Sequence, residues 1–486
     1  MHSPRGMSLV DVIVGAALVL IVFLALLGLL RASLMVSSSA KAKAGATAVA
    51  TTQMEYIRSL PYEAVGTVGG IPAGEIAQYA TTTLNGIPYG VRTLIQYVDD
   101  PRDGSGGADS NTITTDYKRV RVATTYTFRG EEREVALVSN VAPPSIETTT
   151  GGGTLRIQTV DAQGAPVAGA SVRIENPSLS PAVDFTTFAD IAGAVQLPGA
   201  PTSTDYRVTV TKDGYSTAET YARDETNVNP TPGYFTVSKD QTTTGTFAID
   251  VLATLLIRTA SPIRPATFSD TFADSASLAQ QLSTQVAGGA LLLAGAPGSY
   301  ALSGSARALE TAPEYLAEWT SASATLDVPA GTSATVRVLD QNGGLIPDSI
   351  IPGNSTGFTS FPIALTGVST TTYPALALEA QLTSSDGLTS AQVLDWTIAY
   401  EEGPVPIPNV PFTLTGDKKK GTMGDGAAIY KTIVEATTDA SGARTLSLEW
   451  DVYTLSVTGY TIQSASSSPP YTLLPGTETG SLLILE

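Results

Sequence analysis

Five aspartates fall within the stretch from residue 99 to residue 116, and glycines and serines separate them. Calcium takes about six to eight oxygen ligands in a flexible geometry, so carboxylates on a glycine-rich loop suit it. The spacing does not match an EF-hand, and acidic loops are often only solvated. Calcium is therefore the only cofactor for which the sequence offers ligands, and these are Asp99, Asp100, Asp103, Asp109 and Asp116.

The chain is nearly without the side chains that nucleophilic catalysis and transition-metal binding usually use. The chain has no cysteine, and its only histidine is His2. Ser-His-Asp and Cys-His sites and histidine-ligated zinc or iron are therefore excluded beyond residue 2. No carboxylate pair stands out as a glycosidase pair, so we expect no catalytic residues and no enzyme, with a carboxylate-dependent hydrolase as the enzymatic alternative.

The overall charge restricts the partners. The formal net charge is -18 over 486 residues. Nucleic acids and anionic lipid surfaces attract basic proteins, so neither is an expected ligand. The length predicts several domains, and without disulfides each of them must depend on hydrophobic burial.

The N-terminus contains an uncharged apolar block. Residues 12–30 would form a helix of about 28 Å, close to the roughly 30 Å of a bilayer core. A signal peptide has a shorter apolar region of about 7–15 residues behind a basic flank, whereas here Asp11 stands at the entrance. An acid beside a membrane segment is costly unless it is paired, which makes Asp11 a candidate functional residue.

The stretch Gly6-Met7-Ser8-Leu9-Val10-Asp11 resembles the N-terminus of a type IV prepilin. The resemblance implies cleavage after Gly6 by a membrane-embedded prepilin peptidase and N-methylation of Met7. It also implies that Asp11 faces the terminal amine of a neighbouring subunit during assembly. The family usually has Phe and Glu at these two positions, and Asp is one methylene shorter. A simple signal anchor, and signal-peptidase cleavage after Ala40 that would release a soluble protein, are the alternatives.

Helical periodicity continues beyond the apolar block until Pro61. We expect one helix over residues 7–60. One face of this helix carries a stripe of apolar residues, which we expect to pack on a small head of antiparallel strands at residues 61–145. The stripe consists of Ala46, Val49, Ala50, Met54, Ile57 and Leu60.

The C-terminal part contains a diverged repeat. Residues 154–252 resemble a carboxypeptidase regulatory-like β-sandwich, an accessory module without peptidase activity, through Gly169-Ala170-Ser171-Val172, Asp190 to Gly193 and Tyr206 to Val210. The same order returns in residues 404–486 with Asp439, Gly442 and Tyr453. We interpret the two stretches as copies of one module.

The stretch between the copies predicts a jelly-roll-like sandwich over residues 253–403. Trp319 and Trp396 are its candidate ligand-binding residues, because exposed aromatic rings stack on sugars, although aromatics at strand spacing are more often core. The run from Lys418 to Lys420 is expected to be solvated.

These patterns together predict an α+β pilin, a long N-terminal helix packed on an antiparallel sheet, followed by all-β sandwich domains. The expected segments are a leader (1–6), the transmembrane and spine helix (7–60), the head (61–145), a linker (146–153) and three sandwiches (154–252, 253–403 and 404–486).

The expected function is that of a minor type IV pilin, located at the pilus tip, that presents its sandwiches for adhesion. A pseudopilin-like protein of a secretion system that binds cargo or polysaccharide is the alternative. The expected partners are other pilin subunits, the prepilin peptidase, the inner or cytoplasmic membrane before assembly, and a glycan or cell-surface ligand. The chain would be a single-pass membrane protein that moves to the cell surface on assembly.

Overall fold

One long helix leads into the β-structure of the chain. The computed structural model describes residues 9–100, 102, 114–144 and 151–486. Helix α1 (Leu9–Arg58) has 50 residues, and a 3-10 turn (Tyr62–Ala64) follows Pro61. Described side chains from residue 13 to residue 34 are exposed, whereas Ala46, Ala50, Met54 and Ile57 are buried against the head. The expected stripe is therefore confirmed, with Val49 and Leu60 partly buried at its margin.

The head is a four-stranded antiparallel meander in the order β1-β2-β3-β4. Alternate residues of the central strands, such as Val91, Ile95, Val120 and Val122, are buried under the helix. The period-two alternation thus gives the sheet one covered face. The strands are β1 (Tyr79–Leu84), β2 (Ile87–Val98), β3 (Tyr117–Phe128) and β4 (Glu131–Val141).

The first sandwich packs a sheet with the order β10-β9-β6-β7, to which β11 adds, on a sheet with the order β12-β5-β8. Its strands are β5 (Gly153–Val160), β6 (Ser171–Asn176), β7 (Val183–Phe188), β8 (Ala194–Ala200), β9 (Ser203–Thr211), β10 (Ala218–Glu219), β11 (Phe235–Val237) and β12 (Thr242–Ala248).

The next strand, β13 (Ala253–Ala260), leaves the first sandwich and belongs to the last one. The inserted sandwich follows it and packs a six-stranded sheet on the sheet β15-β20-β24-β22. Its strands are β14 (Arg264–Asp270), β15 (Leu278–Leu282), β16 (Thr284–Ala287), β17 (Ala290–Leu293), β18 (Gly295–Ala296), β19 (Ser299–Tyr300), β20 (Ser303–Ala308), β21 (Leu316–Asp327), β22 (Thr332–Asp340), β23 (Ile363–Ala364), β24 (Leu376–Ser384) and β25 (Gln392–Glu402).

The last sandwich combines β13 with the C-terminal strands in the sheets β30-β13-β34-β32 and β29-β26-β31-β33, while β27 and β28 form a separate hairpin. Its further strands are β26 (Pro411–Gly416), β27 (Lys419–Thr422), β28 (Ala428–Tyr430), β29 (Ile433–Thr437), β30 (Ala443–Leu448), β31 (Asp451–Val457), β32 (Ile462–Ala465), β33 (Tyr471–Leu473) and β34 (Glu478–Leu485).

The first and last sandwiches share one topology. The sheets β10-β9-β6-β7 and β12-β5-β8 correspond in order to β33-β31-β26-β29 and β34-β13-β30, and β5 and β13 each have one parallel partner. The hydroxyl of Thr159 donates to the carbonyl of Gly193, and that of Thr259 donates to the carbonyl of Gly442. The two modules are therefore copies in topology as well as in sequence order.

The inserted sandwich occupies one turn of the last sandwich. In the first copy a short turn joins Val160 to Pro166, which form a bridge; the matching bridge in the second copy joins Ala260 to Pro406. Residues 261–405 therefore stand where the first copy has residues 161–165. The sequence placed residues 253–260 in the middle module; hydrogen bonding places them in the last one.

The fold class expected from the sequence is confirmed: an N-terminal helix on an antiparallel sheet, followed by β-sandwiches.

Candidate functional sites

The N-terminal helix contains the candidate assembly residues. Gly6 and Met7 lie outside the described residues, and so does the side chain of Asp11, whose backbone belongs to α1. Within the described chain, α1 is the one helix long and apolar enough to cross a membrane. Its exposed apolar part and its packed part follow each other without a break.

The head contacts the C-terminal half of α1 at close range. The Tyr89 hydroxyl donates to the carbonyl of Ala42 over 3.0 Å, and a Cβ on Gly45 would lie only 2.2 Å from that hydroxyl oxygen. Glycine at position 45 therefore lets the helix approach the sheet at this point. The tyrosine also meets the ring of Tyr126 edge-on at 5.9 Å.

A buried lysine fixes the segment that follows the helix. Lys118 Nζ donates to the carbonyl oxygens of Tyr62 and Val65 over 2.6 and 2.8 Å. It also lies over the rings of Tyr62 and Tyr97. Burial lowers the pKa of Lys118 to about 8, and the nearby charge of Glu63 opposes this shift. No sequence pattern singled out this residue.

The acidic loop is described only in part. Asp103 and Asp109 lie outside the described residues. An Asp116 carboxylate oxygen accepts from the backbone N–H of Asp100, and the Gln196 amide donates to Asp99 over 3.5 Å. The part of the loop that the structure describes brings no three metal-ligating side chains together. The calcium site therefore remains a prediction.

The two candidate ligand-binding tryptophans lie in the core of the inserted sandwich. Trp319 is fully buried and donates its indole N–H to the carbonyl of Tyr373 over 2.8 Å. Trp396 is fully buried against the ring of Phe272, with centroids 5.0 Å apart. Neither ring face is open to a sugar, which corrects the stacking expectation. Their strand spacing marks inward-facing positions on a covered sheet.

The head docks on the edge of the first sandwich. The N–H of Asp184 donates to the carbonyl of Gly69 over 2.8 Å, and the amide of Gln78 donates to the carbonyl of Asp184 over 2.7 Å. The Arg92 guanidinium donates to the carbonyl of Thr186 and lies 4.7 Å from the centroid of the Phe188 ring. These contacts use the free edge of β7, so they continue its hydrogen bonding into the head.

The hairpin β27–β28 joins the last sandwich to the first. The N–H groups of Val228 and Thr231 donate to the carbonyls of Thr422 and Lys420, both over 3.0 Å. A Cβ on Gly421, which has a φ of +153°, would lie 1.9 Å from the Asn227 side-chain oxygen. The positive φ favours glycine here, and a Cβ would displace the Asn227 side chain, whose amide donates to the carbonyl of Lys420 over 3.1 Å.

A buried glutamate stabilises the same junction. Glu449 accepts from Lys431 over 2.7 Å, from Lys418 over 3.2 Å and from the Thr432 hydroxyl over 2.6 Å. Lys431 also donates to the carbonyl of Thr217 in the first sandwich. Burial would raise the pKa of Glu449, but these hydrogen bonds and the lysine charges outweigh it and hold the pKa below its usual value. Lys418 is thus an ion-pair partner, in contrast to the solvated residue expected from the sequence.

Comparison with known proteins gives no sequence match: neither a family model nor a curated protein matches. Solved structures that align include the Bacillus anthracis TIE protein (10% identity, TM-score 0.17), with coverage of 84% of this chain and 73% of that chain. The BcpA(D312A) major pilin subunit of Bacillus cereus aligns at 11% identity and TM-score 0.17, covering 68% of this chain and 99% of that chain. A streptococcal ancillary pilin aligns at 9% identity and TM-score 0.17, covering 75% of each chain. Likeness at this level carries no inference about the present chain.

Proposed function

We propose that the chain is a pilin-like subunit that is anchored in the membrane by α1 and presents its sandwiches outside the cytoplasm. The observation that carries the proposal is the division of α1. Its N-terminal part exposes apolar side chains, including Leu18, Phe23 and Leu29, while its C-terminal part is buried in the head. A helix that is apolar all round and uncovered by its own chain requires lipid or other helices as its surroundings.

The exposed apolar part of α1 can lie first in the membrane and later among the helices of an assembled filament. The exposed part spans a bilayer before assembly, and the same surface packs on the helices of other subunits afterwards. Asp11, which resembles the conserved acid of prepilins, would face the terminal amine of a neighbouring subunit. Cleavage after Gly6 and methylation of Met7 by the prepilin peptidase complete this proposal.

The size of the outer part favours a minor, tip-located subunit. The head is followed by three sandwiches, and hydrogen bonds attach the first of them to the head. A major pilin repeats at close helical spacing along the shaft, where three additional sandwich domains on each subunit would collide with those of its neighbours. At the tip the sandwiches are free to bind a cell surface or a glycan, and nothing in the sequence assigns them an enzymatic role.

Localisation of single labels tests the proposal. Because the chain contains no cysteine, one cysteine placed at Ser299, an exposed hairpin residue, can be labelled specifically. We expect one label cluster at the end of each filament. Even labelling along the shaft would contradict the tip location, and label only in the cell body would favour the secretion-system alternative.

A further inference from the structure

The inserted sandwich lies on the far side of the last sandwich from the first one. Strand β13 begins beside the first sandwich, where Val251 forms a bridge with Tyr215 and the N–H of Leu252 donates to the carbonyl of Gly214. Its eight residues rise about 3.3 Å each, so its end at Ala260 is about 23 Å away. Ala260 is the residue at which the inserted sandwich departs.

The departure point is a two-stranded neck, residues 261–263 and 403–405. The N–H of Ser261 donates to the carbonyl of Val405 over 2.8 Å, and Arg264 then pairs with Glu402 at the start of the inserted sandwich. Two paired chains constrain the direction of a module more than a single linker does. Strand β25 spans a further distance of about 33 Å from Glu402 to Gln392 at about 3.3 Å per residue.

Three connections between strands meet at the end of the inserted sandwich that is farthest from the neck: the loop 294–302, which contains the short hairpin β18–β19, and the loops 327–332 and 384–390. The N–H groups of Gly298 and Tyr300 donate to the carbonyls of Leu388 and Gly387 over 3.1 and 2.8 Å. The N–H of Ser385 donates to the carbonyl of Gly331 over 2.9 Å. Hydrogen bonds between the loops hold them in one arrangement, so any surface that they form exists before a partner arrives.

These loops expose large apolar side chains. Leu302, Leu388 and Val328 are 59%, 57% and 46% exposed, respectively. Leu302 lies against the 384–390 loop, since a Cβ on Gly387 would be 3.6 Å from its Cδ2. We call these three residues the distal patch. The exposed carboxylates of Asp327 and Asp386 flank it in sequence.

The charge of the module limits the partner. Residues 261–405 contain 13 aspartates and glutamates against three arginines, and they contain no lysine. Like charges therefore oppose pairing of the patch with a second copy of the chain, and they also oppose an anionic lipid surface. A protein surface that combines apolar residues with lysine or arginine would contact the leucines and pair with the carboxylates of Asp327 and Asp386.

We propose that the distal patch is the surface through which this chain contacts a foreign protein, by apolar contact at Leu302 and Leu388 and by ion pairs of Asp327 and Asp386 with basic groups of that protein. The proposal deepens the adhesive function proposed above and rests on it for its biological meaning. It names the inserted sandwich as the module that meets the partner. The first and last sandwiches then act as the spacer that carries it.

The probe is an immobilised peptide of alternating leucine and lysine, and the full-length chain is presented in nanodiscs of uncharged lipid, with empty nanodiscs as reference. Peptides of alternating leucine and glutamate, and of serine and lysine, separate the apolar from the charged component. The test variant is Leu302→Ser/Leu388→Ser. The matched control is Leu309→Ser, which removes a leucine that is 49% exposed on the same module, next to β20 at the end towards the neck.

We expect the leucine–lysine peptide to bind the chain, the double variant to bind at least tenfold more weakly, and the control variant to bind as the unaltered chain does. The other two peptides should bind weakly or not at all. The proposal is overturned by absence of binding above empty nanodiscs, by equal loss in the control, by retention in the double variant, or by equal binding of the serine–lysine peptide.

The outcome separates this proposal from the pilin proposal. If the chain keeps Met1 but still binds the peptide through the leucines, the pilin proposal is contradicted and the distal-patch proposal is supported. A chain that starts at Met7 but does not bind the peptide would do the reverse.

Discussion

Replacing Glu449 with glutamine tests whether the first and last sandwiches are coupled by charge. The side chain is buried and accepts hydrogen bonds from Lys418, Lys431 and Thr432, and Lys431 in turn donates to the first sandwich. Glutamine has nearly the same shape and can still accept from Thr432. It removes the negative charge between two ammonium groups.

The expected cost follows from how well the lysines are solvated. Breaking a fully buried ion pair costs about 3–5 kcal/mol, because the remaining charge has no partner. The lysine side chains here keep 24% and 21% of their exposure, which allows some screening by water. We therefore expect a cost of about 2 kcal/mol, which is below the range for a fully buried pair.

Thermal unfolding of the full-length chain, followed by calorimetry, measures this change. If the two sandwiches unfold as one unit of roughly 200 residues, about 2 kcal/mol corresponds to a fall of about 4–8 °C in the Tm of that transition. The matched control is Glu435→Gln, which removes an exposed glutamate from β29 of the same module. A fall below 1 °C, or one equal to that of the control, would show that Glu449 does not couple the two sandwiches by charge.

The pH dependence of the same transition has a definite sign. The pKa of Glu449 is held below its usual value in the folded chain. The contribution of Glu449 to the free energy of unfolding is therefore complete above the pKa of an unfolded glutamate, about 4.3. It is lost as the pH falls through the lower pKa of the folded chain. The difference in Tm between the unaltered chain and the glutamine variant should shrink as the pH falls through that range.

Three further predictions concern the head and the core. Gly45→Ala should destabilise the head despite the better helix propensity of alanine, because the new Cβ would clash with the Tyr89 hydroxyl. The loss should be smaller when Tyr89 is replaced by phenylalanine. Urea unfolding of the chain with glycine or alanine at position 45, each with tyrosine or phenylalanine at position 89, measures the coupling between the two residues. The pKa of Lys118 is about 8 when folded and about 10.4 when unfolded, so the free energy of unfolding should rise between these pH values, and Lys118→Met should abolish that rise; equal slopes would contradict it. Trp396→Leu should lower stability by about 3 kcal/mol through the cavity that it leaves, measured by the Tm of the inserted sandwich; an unchanged Tm would place this ring outside the core.

The helix and its stripe could be predicted because they depend on local pattern. Residues from Ala46 to Ile57 recur at helical spacing, and Pro61 ends the pattern, so no distant contact is needed to place them. The correspondence of Asp190 and Tyr206 with Asp439 and Tyr453 also survives in the sequence. Turn residues and inward-facing tyrosines repeat with the module.

The insertion could not be predicted from the sequence because strand pairing is not local. Residues 253–260 alternate as any sandwich strand does, and their parallel partner lies at residues 478–485, more than 200 residues further along the chain. The ion pair of Lys418 could not be predicted for the same reason, since Glu449 is 31 residues away, and the lysine run was therefore interpreted as solvated. The two tryptophans were misassigned because strand spacing shows which residues share a face but leaves open whether a second sheet covers it.

The intact mass and N-terminal sequence of the chain purified from its own membranes decide whether it is processed as a prepilin. We expect a mature start at Met7, which would establish cleavage after Gly6. A start near Lys41 would mean a secreted multi-sandwich protein, and an uncut Met1 would mean a simple membrane anchor. Either of these results would contradict the pilin proposal.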